Sequence, residues 1–81
     1  MSKPIPTTIT QLRKAAPGWK IEYGTMGVYT DGKRIMAHKI NCFKKVSWRG
    51  AFFAVPMVNI RLTNKAAAVA MAYAAMEARD A

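Results

Sequence analysis

Asp31-Gly32, set between Val28-Tyr29-Thr30 and Lys33-Arg34-Ile35, narrows the fold of this chain more than any other feature. A two-residue Asp-Gly loop favours a type I′ turn, because both central positions need positive φ and the turn's twist matches that of the flanking strands. So short a loop fixes one register: Thr30 opposes Lys33, Tyr29 opposes Arg34 and Val28 opposes Ile35. Opposed residues share a face of the sheet. Val28, Ile35 and Ala37 therefore share one side, and Tyr29, Arg34, Met36 and His38 share the other. The chain is committed to antiparallel pairing from here outward.

The segments on either side follow from periodicity. Pro4 and Pro6 push their preceding residues out of the helical region, so residues 1–6 read as an extended arm. Thr7 or Thr8 caps a short helix with Ile9, Leu12 and Ala16 at helical spacing, and Pro17-Gly18 stops it. Trp19, Ile21 and Tyr23 alternate with Lys20 and Glu22, the pattern of a half-buried strand. Gly24 and Gly27 bracket a bend or bulge. Asn41 to Ser47 reads as a basic connection. Trp48 to Val55 reads as a further strand, interrupted at Pro56, which argues for an edge or a bulge. Val58, Ile60 and Leu62 alternate with Asn59 and Arg61 and extend it. Thr63 or Asn64 caps a last helix from Lys65 to about Arg79, whose buried stripe is Val69, Tyr73 and Met76. Its alanines favour helix and permit close approach to a sheet. The expected fold is α+β: one two-layer domain over residues 7–81, a three- or four-stranded antiparallel sheet packed by an Ala-rich C-terminal helix and a short N-terminal helix.

Charge narrows the class of partner. The 81 residues carry a net charge of +9, yet 52% are apolar, too many for a disordered basic tail. Lys33, Arg34, Lys39, Lys44, Lys45, Arg49, Arg61 and Lys65 follow one another with no acid between them; Glu22, Asp31, Glu77 and Asp80 all lie outside that stretch. An unopposed positive field costs self-repulsion, which an anionic partner relieves. A single cysteine, Cys42, and the absence of a signal-peptide pattern at Met1-Ser2-Lys3-Pro4 favour a cytoplasmic setting. The longest apolar runs, 51–58 and 66–76, fall short of the roughly 20 residues that span a bilayer.

Little in the sequence supports catalysis. With one His and one Cys, a protein-only zinc site would need carboxylates to complete it. Cys42 and His38, four residues apart, could pair as nucleophile and base, but a lone Cys more often packs as a small hydrophobe. The four acids form no evident acid–base pair. Gly24-Thr25-Met26-Gly27 lacks the context of a phosphate loop. The expectation is a non-enzyme without cofactor or metal.

Lys and Arg pair readily with phosphates. Lys33, Arg34, Lys39, Lys44, Lys45, Arg49 and Lys65 are the candidate phosphate ligands. Lys65, in the first helical turn, opposes the helix dipole and suits an approaching phosphate. Trp48 lies between Lys45 and Arg49, where a stacked base or a cation–π contact is available. Trp19, Tyr23, Phe52 and Phe53 fit core positions as well or better, while Trp48 and Tyr29 are candidates for exposure. In Phe52-Phe53, one ring must face away from whatever layer buries the other.

Thr63-Asn64-Lys65-Ala66-Ala67-Ala68, followed by Met71-Ala72 and Ala75-Met76, resembles the closing helix of double-stranded RNA-binding domains. That resemblance implies a helix–strands–helix order and a phosphate contact at Lys65. Leu12 through Pro17-Gly18-Trp19 resembles the helix-to-strand step of HicA-type toxins, which share that fold. Their catalytic His follows the first strand, and Gly24-Thr25-Met26-Gly27 holds none, so RNA cleavage is not implied. Gly27-Val28, Gly32-Lys33 and the Ala-rich helix with Tyr73 resemble AP2-type DNA-binding domains, in which the sheet enters the major groove.

The expected function is nucleic-acid binding, duplex favoured, through a cationic sheet and loop face. The alternative is a phage- or plasmid-type inhibitor that docks on an acidic host protein through Phe52-Phe53, Met57 and the last helix. A membrane-surface role is disfavoured, because the most basic segment reads as hairpin and loop rather than amphipathic helix. Oligomeric state stays open, a dimer included.

Overall fold

The computed structural model describes residues 4–80. The elements run α1 (Ile9–Ala15), β1 (Trp19–Thr30), β2 (Lys33–Trp48), β3 (Ala51–Leu62) and α2 (Lys65–Asp80). The strands form one antiparallel sheet in the order β1-β2-β3, with both helices on one face, so the α+β two-layer architecture holds with three strands. Residues 1–3 of the expected N-terminal arm lie outside the described residues.

The Asp31-Gly32 hairpin forms as its dipeptide dictates. Asp31 and Gly32 have φ of 52° and 75°, and Thr30↔Lys33, Tyr29↔Arg34 and Val28↔Ile35 are paired. A second turn of the same kind is less evident in the sequence: Arg49 and Gly50 have φ of 51° and 77°. This turn corrects two expectations. Asn41–Ser47 is not a connection but the second half of β2. Trp48–Val55 is not one strand, since Trp48 closes β2 and β3 begins at Ala51. Nor do Gly24 and Gly27 bend the chain; β1 pairs with β2 without interruption. Gly27 has a different use. A Cβ there would lie 2.5 Å from Arg34 Nε, so the missing side chain makes room for the guanidinium.

Register divides the sheet into a central block and two ribbons. From His38 to Lys44, β2 is paired on both sides. Beyond His38, β1 and β2 continue alone to the Asp31-Gly32 turn; beyond Lys44, β2 and β3 continue alone to Arg49-Gly50. At about 3.3 Å per residue β2 alone spans roughly 50 Å, in keeping with a molecule of 49 × 35 × 19 Å.

A bulge sets which residues β3 buries. Cys42 pairs with Val58 and Phe43 with Pro56, so Met57 is the extra residue. It switches the alternation, putting Val58, Ile60 and Leu62 on the same side as Phe53 and Val55. Proline is tolerated here because it lies at a bulge on an edge strand, where its missing N–H interrupts little.

The core lies between the central block and the helices: Leu12, Ala16, Trp19, Ile21, Ile40, Cys42, Val58, Ala68, Val69, Ala72 and Met76 are its buried members. Fully buried Ala68 and Ala72 bring α2 close to β2 and β3. Tyr73, expected in the buried stripe, is half-buried at its margin. Each helix start is capped as its sequence suggests. Thr8 Oγ1 accepts from Gln11 N–H at 3.2 Å while Gln11 Oε1 accepts from Thr7 N–H at 2.9 Å, a reciprocal arrangement akin to a capping box. Asn64 Oδ1 accepts from Ala67 N–H at 2.9 Å. At the far end of α2, Asp80 accepts from Trp19 Nε1 at 3.0 Å and pairs with Lys44. That contact fastens the helix C-terminus to the row where β1 begins.

Candidate nucleic-acid interface

Because opposed residues share a face and neighbours alternate, the register assigns every strand side chain to the helix layer or to the open side. On the open side, successive rows across β1, β2 and β3 read Lys20–Phe43–Pro56, Glu22–Asn41–Asn59 and Gly24–Lys39–Arg61. Further along one ribbon lie Met26–Ala37, Val28–Ile35 and Thr30–Lys33; along the other lie Lys45–Ala54 and Ser47–Phe52. The open side thus carries Lys20, Lys33, Lys39, Lys45 and Arg61 against one acid, Glu22, which Lys20 meets at 3.7 Å. Lys33, Lys39 and Lys45 recur every six residues along β2, about 20 Å apart at ~3.3 Å per residue.

The Gly24–Lys39–Arg61 row has an unusual electrostatic arrangement. Lys39 and Arg61 are directly opposed in the register, and like charges so placed destabilise a sheet. Gly24 adds no side chain beside them and has open space where a Cβ would project. The centre of the open side is therefore a concentrated positive site with an empty neighbour.

The expected phosphate ligands divide between the two sides. Lys33, Lys39 and Lys45 face away from the helices. Arg34 lies on the helix side, against Gly27. Lys44 also faces the helices; its Nζ is 4.8 Å from the Trp19 ring centre and is held by Asp80. Lys44 and Lys45 are thus neighbours in sequence but not in space, and the expected Lys44–Lys45–Arg49 cluster does not form. Arg49 sits in the second turn with its guanidinium 4.5 Å from the centre of the Trp48 ring. Lys65 reaches the Tyr23 ring at 5.0 Å, a cation–π contact that offsets its place at the positive end of the helix dipole.

Lys20 and Arg61, with Asn41 and Asn59 in the row between them, join the candidate site only once the strands are paired. The signal for Lys20 was available: the Asp31-Gly32 register places even-numbered β1 residues with odd-numbered β2 residues on one side. Asn59 and Arg61 are legible as the polar face opposite Val58, Ile60 and Leu62, but not as partners of Asn41 and Lys39, because that register is set by the Arg49-Gly50 turn and the extra residue Met57.

The exposed aromatics gather at the second ribbon. Trp48 is 61% exposed, Phe52 84% and Phe53 49%, with Val46 and Val55 more than a third exposed. This corrects the core placement expected for Phe52 and Phe53. The two rings take opposite sides of the ribbon, and neither joins the core packed against the helices. Trp19 does take a core position, Tyr23 packs half-buried against the core, and Tyr29 is exposed.

His38 and Cys42 share a face of β2 with Ile40 between them, roughly 13 Å apart at ~3.3 Å per residue. The Tyr23 hydroxyl and His38 Nδ1 lie 2.6 Å apart. Cys42 is fully buried, and burial pushes its thiol pKa up to about 11. That thiol is protonated at neutral pH and out of reach of the imidazole. Among the described residues no group of three or more His, Cys, Asp or Glu side chains is placed to hold a metal, and no helix is long and apolar enough to cross a membrane.

No protein-family profile matches the chain, and comparison with curated proteins and with solved structures gives no significant match to either.

Proposed function

We propose that this chain is a small nucleic-acid-binding protein that lays the open face of its sheet on a duplex, with Lys20, Lys33, Lys39, Lys45 and Arg61 on phosphates. The observation that carries the reading is the opposed Lys39–Arg61 pair at the centre of that face. Two like charges side by side weaken the isolated fold, and a bound polyanion attracts both and offsets their repulsion. The dimensions support it as well. Three strands about 4.8 Å apart set the outer two roughly 10 Å from each other, close to the ~12 Å width of a B-DNA major groove. Arg49, stacked on Trp48 at the ribbon tip, supplies a further cation beyond the central block.

Fluorescence anisotropy with labelled double-stranded DNA, double-stranded RNA and single-stranded DNA at 50 and 200 mM salt tests this. The expected result is tight duplex binding that weakens steeply with salt. Binding that is weak, indifferent to the ligand and abolished at the higher salt would overturn it.

The aromatic ribbon supports a second reading, docking on an acidic protein. Trp48, Phe52 and Phe53 are the kind of large side chain that anchors interfaces, and residues 32–76 contain no acid. On that reading, a protein partner from the source cells co-purifies with the native chain and is lost with Phe52→Ser and Trp48→Ser, while nucleic acid does not compete with it.

A further inference from the structure

Resting on the nucleic-acid reading, we infer that Asn41 and Asn59 form a base-reading site on the open face, and that it recognises adenine edges in the DNA major groove. The two residues are directly opposed across β2 and β3. Both line a shallow depression of about 230 Å³, along with Phe43, Pro56, Met57 and Val58. The depression is a product of the bulge. The extra residue Met57 kinks β3 and opens the surface between the Phe43–Pro56 row and the Asn41–Asn59 row. Phe43 and Pro56 give it an apolar wall; Lys39 and Arg61 lie in the row beyond.

Among the side-chain hydrogen bonds of the described residues, none involves Asn41 or Asn59. By contrast Asn64 caps α2. Asparagine is also a poor strand residue by propensity, so two of them opposed at mid-sheet do little for β pairing. They do bring two donor–acceptor groups together on the cationic face. A carboxamide offers one acceptor and one donor side by side, the complement of adenine N6–H and N7 in the major groove. Opposed strand residues lie about 4.5–5.5 Å apart, between one and two of the ~3.4 Å steps along one strand, so the two amides reach neighbouring base pairs. The flanking cations fix the height and register of the sheet over the groove, as phosphate contacts do in general, and the amides supply the sequence dependence.

The same geometry separates DNA from RNA. The major groove of an A-form RNA helix is too deep and narrow for side chains to read. A site that works by major-groove edges therefore favours B-form DNA.

The test is a selection of duplex DNA from a pool with a randomised core, using the full chain, followed by anisotropy on the selected duplex and on copies with single A·T pairs changed to G·C. The expected wild-type result is an A·T-containing core and a loss of about 5- to 150-fold for each critical change, the usual worth of one bidentate base contact. Asn41→Ala and Asn59→Ala should bind the selected duplex more weakly, remove the penalty at one position each, and leave the salt dependence unaltered. Asn41→Gln and Asn59→Gln preserve the amide and should retain part of the preference, which a purely structural role would not explain. Circular dichroism melting of each variant establishes that it is folded. Selection of no consensus, a G·C consensus, or an A·T preference that survives both alanine changes would overturn the base-reading site while leaving the nucleic-acid reading intact. Failure of the wild type to bind any duplex would overturn both.

Discussion

Removing the two opposed cations should separate binding from stability. In the double variant Lys39→Gln, Arg61→Gln, the open face falls from five cations to three. With five phosphates neutralised, the slope of log affinity against log salt is about −4.5, and with three about −2.7. Between 50 and 200 mM salt the wild type should therefore lose roughly 500-fold in affinity and the variant roughly 40-fold. The fold should respond in the opposite direction. Like charges directly opposed in a sheet cost up to about 0.2–1 kcal/mol, so the variant should melt at the same temperature as the wild type or slightly higher. Anisotropy with one labelled duplex over four salt concentrations measures the slopes, and circular dichroism melting measures the stability. Lys14→Gln with Arg79→Gln removes the same net charge from the helix layer, and should leave the slope near the wild-type value. An unchanged slope in the Lys39, Arg61 variant, or an equal drop in the control, would refute the assignment of phosphate contacts to the open face.

Three further outcomes follow from the packing. Asp80 is held below its ordinary carboxyl pKa of 3.8, first by the hydrogen bond from Lys44 and then by that from Trp19. Its contribution to stability is present above that ordinary value and is lost as pH falls through the depressed folded value. Lowering the pH from 5 to 2 should thus reduce the melting temperature more in the wild type than in Asp80→Asn, and parallel curves would show that the contact holds nothing. Ile40 is fully buried at the centre of the sheet; Ile40→Val should cost about 0.5–1.5 kcal/mol and Ile40→Ala about 2–5. A core this small supplies only about 3–5 kcal/mol in total, so urea unfolding should find the first variant folded and the second largely unfolded, with a folded Ile40→Ala contradicting the core assignment. Cys42, buried and with its thiol pKa pushed up to about 11, should react with a thiol-labelling disulfide at neutral pH only at the rate of unfolding; rapid labelling of the native chain would place it at the surface.

Local chemistry made much of the fold legible. Asp31-Gly32 specified both its turn and the pairing on either side, because a I′ loop of two residues has one register. Thr8, Asn64 and the Pro17-Gly18 stop marked the helix ends through their capping and breaking chemistry. The second hairpin was concealed for a physical reason. Arg49 carries positive φ without the usual Asn or Asp signature, and Trp48 reads together with the apolar residues after Gly50 as one strand. That ribbon extends past the helices, so its apolar residues are not core, although hydrophobicity alone places them there. The open face was legible as charge but not as geometry. Lys44 and Lys45 look equivalent in sequence, yet one turns to Asp80 and the other to the open side. Arg61 and Asn59 show in the sequence as one polar face, but their pairing with Lys39 and Asn41 depends on the extra residue Met57 and on the Arg49-Gly50 turn.

The most direct test of the central claim is a nitrogen-15 NMR titration of the full chain with a short DNA duplex, following backbone amides together with the side-chain amides of Asn41 and Asn59. Binding through the open face predicts the largest shifts at Lys20, Lys39, Asn41, Asn59 and Arg61, with the outward surface of α2 unmoved. Shifts confined to Trp48–Phe53 or to the helices, or no shifts at a concentration of DNA that saturates binding, would contradict it.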